Sequence, residues 1–116
     1  MVNKGIRLPM PDPALPGKTI TSALEADHIV PMDKITRMDG FGKLTFDQQV
    51  KVLNNPENFV GLSKTANTSK GSKSFEEWTM YKKENIPVDP AFRQSMIKKS
   101  AELERKLQKQ IDDLLK

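Results

Sequence analysis

A chain of 116 residues with an apolar fraction of 36% has room for one small core and not for two ordinary domains. It has no cysteine and one histidine, which excludes disulfides, thiolate zinc sites and all-histidine zinc sites; the missing disulfide framework fits a reducing compartment. A net charge of +4 is compatible with a polyanionic partner without requiring one.

The first 22 residues carry Pro9, Pro11, Pro13 and Pro16 among small and polar residues. Fixed φ angles and missing donors keep such a segment out of helices and central strands, so it reads as an extended Pro-rich arm or linker over 1–22, the junction with a larger protein. Lys4 and Arg7 are present, but the apolar stretch of a signal peptide is not. No run of about 18 apolar residues occurs, so no membrane span is expected.

Ala23 to Val30 reads as a short strand stopped by Pro31. It contains Asp27, a carboxylate suited to a hard cation, and His28, the only imidazole and so the only neutral-range base. Strict alternation puts these two side chains on opposite faces, so one shared site requires the strand to twist, bulge or end there. Met32 to Leu44 lacks periodicity and, with Asp39-Gly40 and Gly42, reads as a loop.

Thr45-Phe46-Asp47-Gln48 is a capping box opening a short helix, with Phe46, Val50 and Leu53 as its apolar stripe. The helix stops at Asn54-Asn55-Pro56. Phe59 to Leu62 is a second strand, and Ser63 to Gly71 a short helix on which Asn67 and Lys70, three apart, share a face directed at the first strand. Ser74-Phe75-Glu76-Glu77 is a second capping box, predicting a helix up to Pro87 with Phe75, Trp78 and Tyr81 inward. Asp89 and Pro90 then start a final helix to the C-terminus. Its stripe of Phe92, Met96, Leu103, Leu107, Ile111 and Leu114 packs on the domain or serves a partner.

Asp27-His28-Ile29-Val30-Pro31, then Asn58-Phe59-Val60-Gly61-Leu62, then Asn67-Thr68-Ser69-Lys70-Gly71 resembles the HNH endonuclease motif in the variant with asparagine third. The match covers residues 23–71 and is close in wording to the HNH domain of guide-RNA-dependent bacterial DNA endonucleases. The flanking sequence looks more like the HNH toxin domains of bacterial polymorphic toxins. The resemblance implies an α+β fold: a small ββα-metal core, flanking helices and a long C-terminal helix behind the Pro-rich N-terminal arm. The domain would then span 23–116, with the motif core at 23–71 and a helical extension at 74–116.

The same resemblance implies roles for individual residues. His28 becomes the general base, Asp27 and Asn67 the metal ligands, and Asn58 the residue that braces the loop between strands and orients His28. Each also has an ordinary reading: a lone histidine is commonly structural, and Asn58 follows Pro56 as a turn residue would. Lys70 reads equally as a phosphate contact or a solvated lysine, Lys64 and Lys73 as part of a basic rim, and Glu25 as a surface strand residue. Asparagine in place of the third histidine favours Mg²⁺, or Mn²⁺, over zinc or nickel.

The implied activity is metal-dependent hydrolysis of DNA phosphodiesters, with a cognate immunity protein as partner. The implied setting is the toxic tip of a larger secreted protein, active in the target-cell cytoplasm. A phage or restriction-type HNH nuclease is the alternative within that class. A noncatalytic nucleic-acid- or protein-binding module on an HNH-like scaffold is the alternative outside it.

Overall fold

The computed structural model describes residues 2–116. The fold is α+β: among the described residues there are three two-stranded antiparallel sheets, three short α-helices and one long C-terminal α-helix. The strands are β1 (Met10–Pro11), β2 (Thr19–Ile20), β3 (Glu25–His28), β4 (Phe59–Leu62), β5 (Met80–Tyr81) and β6 (Ile86–Pro87). The helices are α1 (Met32–Thr36), α2 (Phe46–Leu53), α3 (Lys64–Lys70) and α4 (Pro90–Leu114).

The long final helix is borne out. Asp89 caps it by accepting from the Phe92 N–H at 2.8 Å, and Pro90 occupies its first turn, where a missing N–H costs nothing. At 25 residues it is about 37 Å long, against a longest molecular dimension of 48 Å, so it serves as a spine. Leu103, Leu107 and Ile111 are buried in the core with Ile35, Val52, Phe75 and Trp78, while Phe92, Met96 and Leu114 pack at its margin. Gly40 seats the far end of α4. Its φ of 85° is left-handed, so the backbone favours glycine there, and a Cβ would lie 2.6 Å from the tip of the exposed Leu115 side chain, which would have to move aside.

The N-terminal segment does not stand off as an arm. Met10 and Pro11 pair with Ile20 and Thr19, and Ala14, Leu15 and Ile20 are buried. Asp12 drives this turn: Oδ1 accepts from the Ala14 N–H at 2.9 Å and the Leu15 N–H at 3.3 Å, an Asx turn locked by the following proline. Oδ2 accepts from Ser63 Oγ at 2.6 Å, and Ser63 in turn caps α3 through the Ala66 N–H. The proline-rich segment thereby fixes where α3 begins. Asp12→Asn keeps the turn but weakens a buried charge-assisted bond, with an expected loss of about 1–2 kcal/mol by urea denaturation.

Three local expectations are corrected. Met32 to Leu44 is not irregular throughout: it contains α1, which buries Ile35, and a 3-10 turn over Phe41–Lys43, which buries Phe41. In α2 the capping box forms, but Phe46 and Val50 lie exposed and Val52 is the buried position. Helix α2 meets the core through its last turn, where Leu53 of the expected stripe packs against the core beside Val52, while Phe46 and Val50 do not. The helix expected from Ser74 is a single turn.

That turn nevertheless has its own capping box: Glu77 N–H donates to Ser74 Oγ at 3.2 Å and Ser74 N–H to Glu77 Oε1 at 3.0 Å, which holds the Glu77 carboxyl below its ordinary range. Met80 and Tyr81 then leave as β5, since an aromatic residue suits a strand, and Asn85 at φ 55° turns the chain into β6. Phe75 and Trp78 still point inward, and Trp78 Nε1 donates to Ser69 Oγ of α3.

Candidate active site

The site lies where β3 ends. Strand β3 pairs antiparallel with β4 in the register Glu25–Leu62, Ala26–Gly61, Asp27–Val60 and His28–Phe59, and α3 packs on both strands. The ladder is regular through His28, so Asp27 and His28 do leave on opposite faces, as alternation requires. The strand ends at His28, and both residues line one cavity of about 400 Å³, with Lys70, Gly71 and Ser72 from the end of α3 opposite. Ending the strand, rather than bulging it, is what brings them to one place.

His28 is fixed at two points. Its ring lies 4.5 Å from that of Phe59, its cross-strand partner, and Nε2 lies 2.9 Å from the Leu53 carbonyl oxygen. That carbonyl is one of the unpaired acceptors left at the C-terminal end of α2. A carbonyl only accepts, so Nε2 carries the proton and the lone pair of neutral His28 resides on Nδ1.

Asn58 is fully buried, at 0% exposure, and clamps Val30 in both directions: Oδ1 accepts from the Val30 N–H at 2.8 Å, and Nδ2 donates to the Val30 carbonyl at 3.0 Å. Its own carbonyl accepts from the Ile29 N–H at 3.0 Å. Its hold is thus on the two residues after His28, so it positions the imidazole through the backbone and not through contact with the ring.

On the opposite face, Glu25 and Asp27 are two apart on β3, and Asn67 and Lys70 three apart on α3, so they meet as two rungs. Asn67 Nδ2 donates to Glu25 Oε1 at 2.8 Å, and Lys70 Nζ donates to Asp27 Oδ2 at 2.6 Å. Glu25 is accordingly not a plain surface residue. A carboxylate only accepts, so it holds the amide nitrogen of Asn67 and turns the amide oxygen to the other side.

Lys70 differs most from its sequence reading. It is neither solvated nor set out toward a substrate: it is 1% exposed, with Asp27, the His28 carbonyl at 3.4 Å and the Phe75 ring at 4.8 Å around its ammonium. Lys64 and Lys73 are exposed and lie outside the His28 cavity, Lys73 lining two neighbouring ones.

The two residues expected to hold a cation, Asp27 and Asn67, offer hard oxygen donors on the same face of β3 and α3 but sit on different rungs: Asp27 lines the cavity with His28, whereas Asn67 is paired with Glu25 and does not line it. Among the described residues no three His, Cys, Asp or Glu side chains converge. The Asp27 side chain is 16% exposed and its charge is already met by the Lys70 ammonium, so a divalent ion there has to displace that ammonium or share the carboxylate with it. Among the described residues no helix is long and apolar enough to cross a membrane. Comparison of the chain with protein-family models, with curated proteins and with solved structures gave no match.

Proposed function

We propose that this chain is a metal-dependent DNA endonuclease whose general base is His28, with β3, β4 and α3 as a ββα-metal core. The observation that carries the reading is the 2.9 Å contact of His28 Nε2 with the Leu53 carbonyl, which leaves Nδ1 as the basic nitrogen, on a cavity shared with the Asp27 carboxylate. A purely structural histidine has no need of an adjoining carboxylate and an open cavity.

In this reading Asp27 and Asn67 would hold the ion, with Glu25 orienting the Asn67 amide. The chemistry a divalent ion supplies when bound there is neutralisation of charge on the phosphate and the leaving oxygen. His28 Nδ1 accepts a proton from water as the water oxygen forms its bond to phosphorus and the bond to the 3′ oxygen breaks. The resulting imidazolium keeps Nε2–H on the Leu53 carbonyl. Exposed Lys64 and Lys73 form a basic rim for the DNA backbone.

The flanking sequence supports placing this nuclease as the toxin domain of a delivered bacterial protein, with an immunity protein as partner. A second reading is favoured by one observation, the closed Asp27–Lys70 pair, which by itself is a structural ion pair on a noncatalytic binding module.

Supercoiled plasmid separates the two. The nuclease converts it to nicked and linear forms with Mg²⁺ or Mn²⁺ and stops when a chelator is added; a binding module shifts the plasmid's mobility and cuts nothing with any divalent ion. Toxicity on solo expression, relieved by the neighbouring gene product, marks the toxin over a phage or restriction-type enzyme.

A further inference from the structure

We propose that Lys70 is a tethered counterion that holds the Asp27 carboxylate until a divalent cation displaces it, so that the ammonium enters the cavity only when the ion is in place. The inference rests on the reading of Asp27 as a metal ligand and adds a device that controls that site.

A lysine 1% exposed is an expensive feature unless its charge is matched. Here the match is nearly complete: Asp27 Oδ2 at 2.6 Å, the His28 carbonyl at 3.4 Å and the face of Phe75 at 4.8 Å. The only charged partner of the three is the carboxylate that the nuclease reading assigns to the metal. A divalent ion and an ammonium on one carboxylate repel each other, and the repulsion is poorly screened where the lysine is buried. One of the two must yield.

The ammonium has somewhere to go. Lys70 is the last residue of α3, followed by Gly71, and its side chain borders the 400 Å³ cavity also lined by Pro31, Met32 and Ser72. Four rotatable methylenes let the charge swing from Asp27 into that space without moving the helix. A tethered ammonium acts at high effective concentration, so monovalent ions compete poorly with it, whereas a doubly charged ion has the stronger claim on the carboxylate. Displaced, the same ammonium becomes the phosphate contact that its position in the sequence predicts.

The test is direct ion binding by the full chain, read without reference to cleavage. Mn²⁺ binding is measured by electron paramagnetic resonance and Mg²⁺ binding by calorimetry for wild type, Lys70→Met and Asp27→Asn. Removing a buried competing charge is expected to tighten Mn²⁺ binding by about tenfold or more in Lys70→Met, and Asp27→Asn is expected to abolish it. Should Lys70→Met fold poorly, the wild type alone decides: the ¹⁵N NMR signal of its buried Lys70 ammonium is expected to shift as Mg²⁺ is added, with the calorimetric midpoint.

Equal affinities in wild type and Lys70→Met, or a bound ion that leaves the Lys70 signal unmoved, overturn the counterion proposal while the metal site stands. Failure of both proteins to bind Mn²⁺ overturns the metal-site reading itself, and the counterion proposal with it.

Discussion

His28→Ala is expected to slow plasmid nicking by about a hundredfold to ten-thousandfold, the usual worth of a positioned general base, while Mn²⁺ binding stays at the wild-type level. The two readouts separate because His28 and Asp27 leave β3 on opposite faces and only Asp27 faces α3. The substitution also strips the Leu53 carbonyl of its donor, a modest cost at a partly exposed helix end of about 1 kcal/mol. His28→Gln removes that ambiguity: its amide can still donate to Leu53, but it has no basic nitrogen. Loss of turnover in both variants, with near-wild-type stability in the glutamine one, assigns the effect to the base. Metal release in either would place His28 among the ligands instead.

Asn58→Ala is expected to cost about 3–5 kcal/mol by urea denaturation, a large share of the stability of a domain this size. Three observations set the magnitude. Asn58 is fully buried, its side chain satisfies both the N–H and the C=O of Val30, and Val30 is itself at 0% exposure. Alanine leaves both backbone groups without partners where water does not reach, and adds a cavity the size of the lost amide. The variant that still folds at low temperature should also lose activity, because the end of β3 places His28. A loss below about 1 kcal/mol would mean that Val30 finds other partners and that the Asn58 clamp is dispensable.

Much of this architecture is legible in the sequence because it follows from short-range rules. The Thr45 and Asp89 caps, the β4 run and the Asn67–Lys70 spacing each need only a few neighbouring residues, and each appears where those residues place it. What the sequence hides is decided by distant partners. The prolines of the first segment announce turns, but that Asp12 reaches Ser63, 51 residues away, depends on the packed chain. The Ser74 capping box is correctly read as a cap, and its helix fails because β6 offers Met80 and Tyr81 a strand partner.

The same division holds within the site. Alternation along β3 gives the faces of Asp27 and His28, and helical spacing directs Asn67 and Lys70 at that strand. The register between the two elements is not local, and it decides that Asn67 meets Glu25 while Lys70 meets Asp27. Burial of Lys70 has no sequence signal of its own, since a lysine at a helix end before glycine is ordinarily solvated. The Leu53 carbonyl is equally invisible in advance: it is a backbone atom 25 residues from His28, exposed as an acceptor only because α2 ends there.

The central claim is that the His28 imidazole takes the proton, and chemical rescue tests it most directly. Supercoiled plasmid is incubated in Mg²⁺ with wild type and with His28→Gly, each with and without free imidazole. The account predicts rapid nicking by wild type, near-silence in His28→Gly, and partial recovery of that variant by imidazole alone. A His28→Gly protein that nicks at the wild-type rate without imidazole would contradict it.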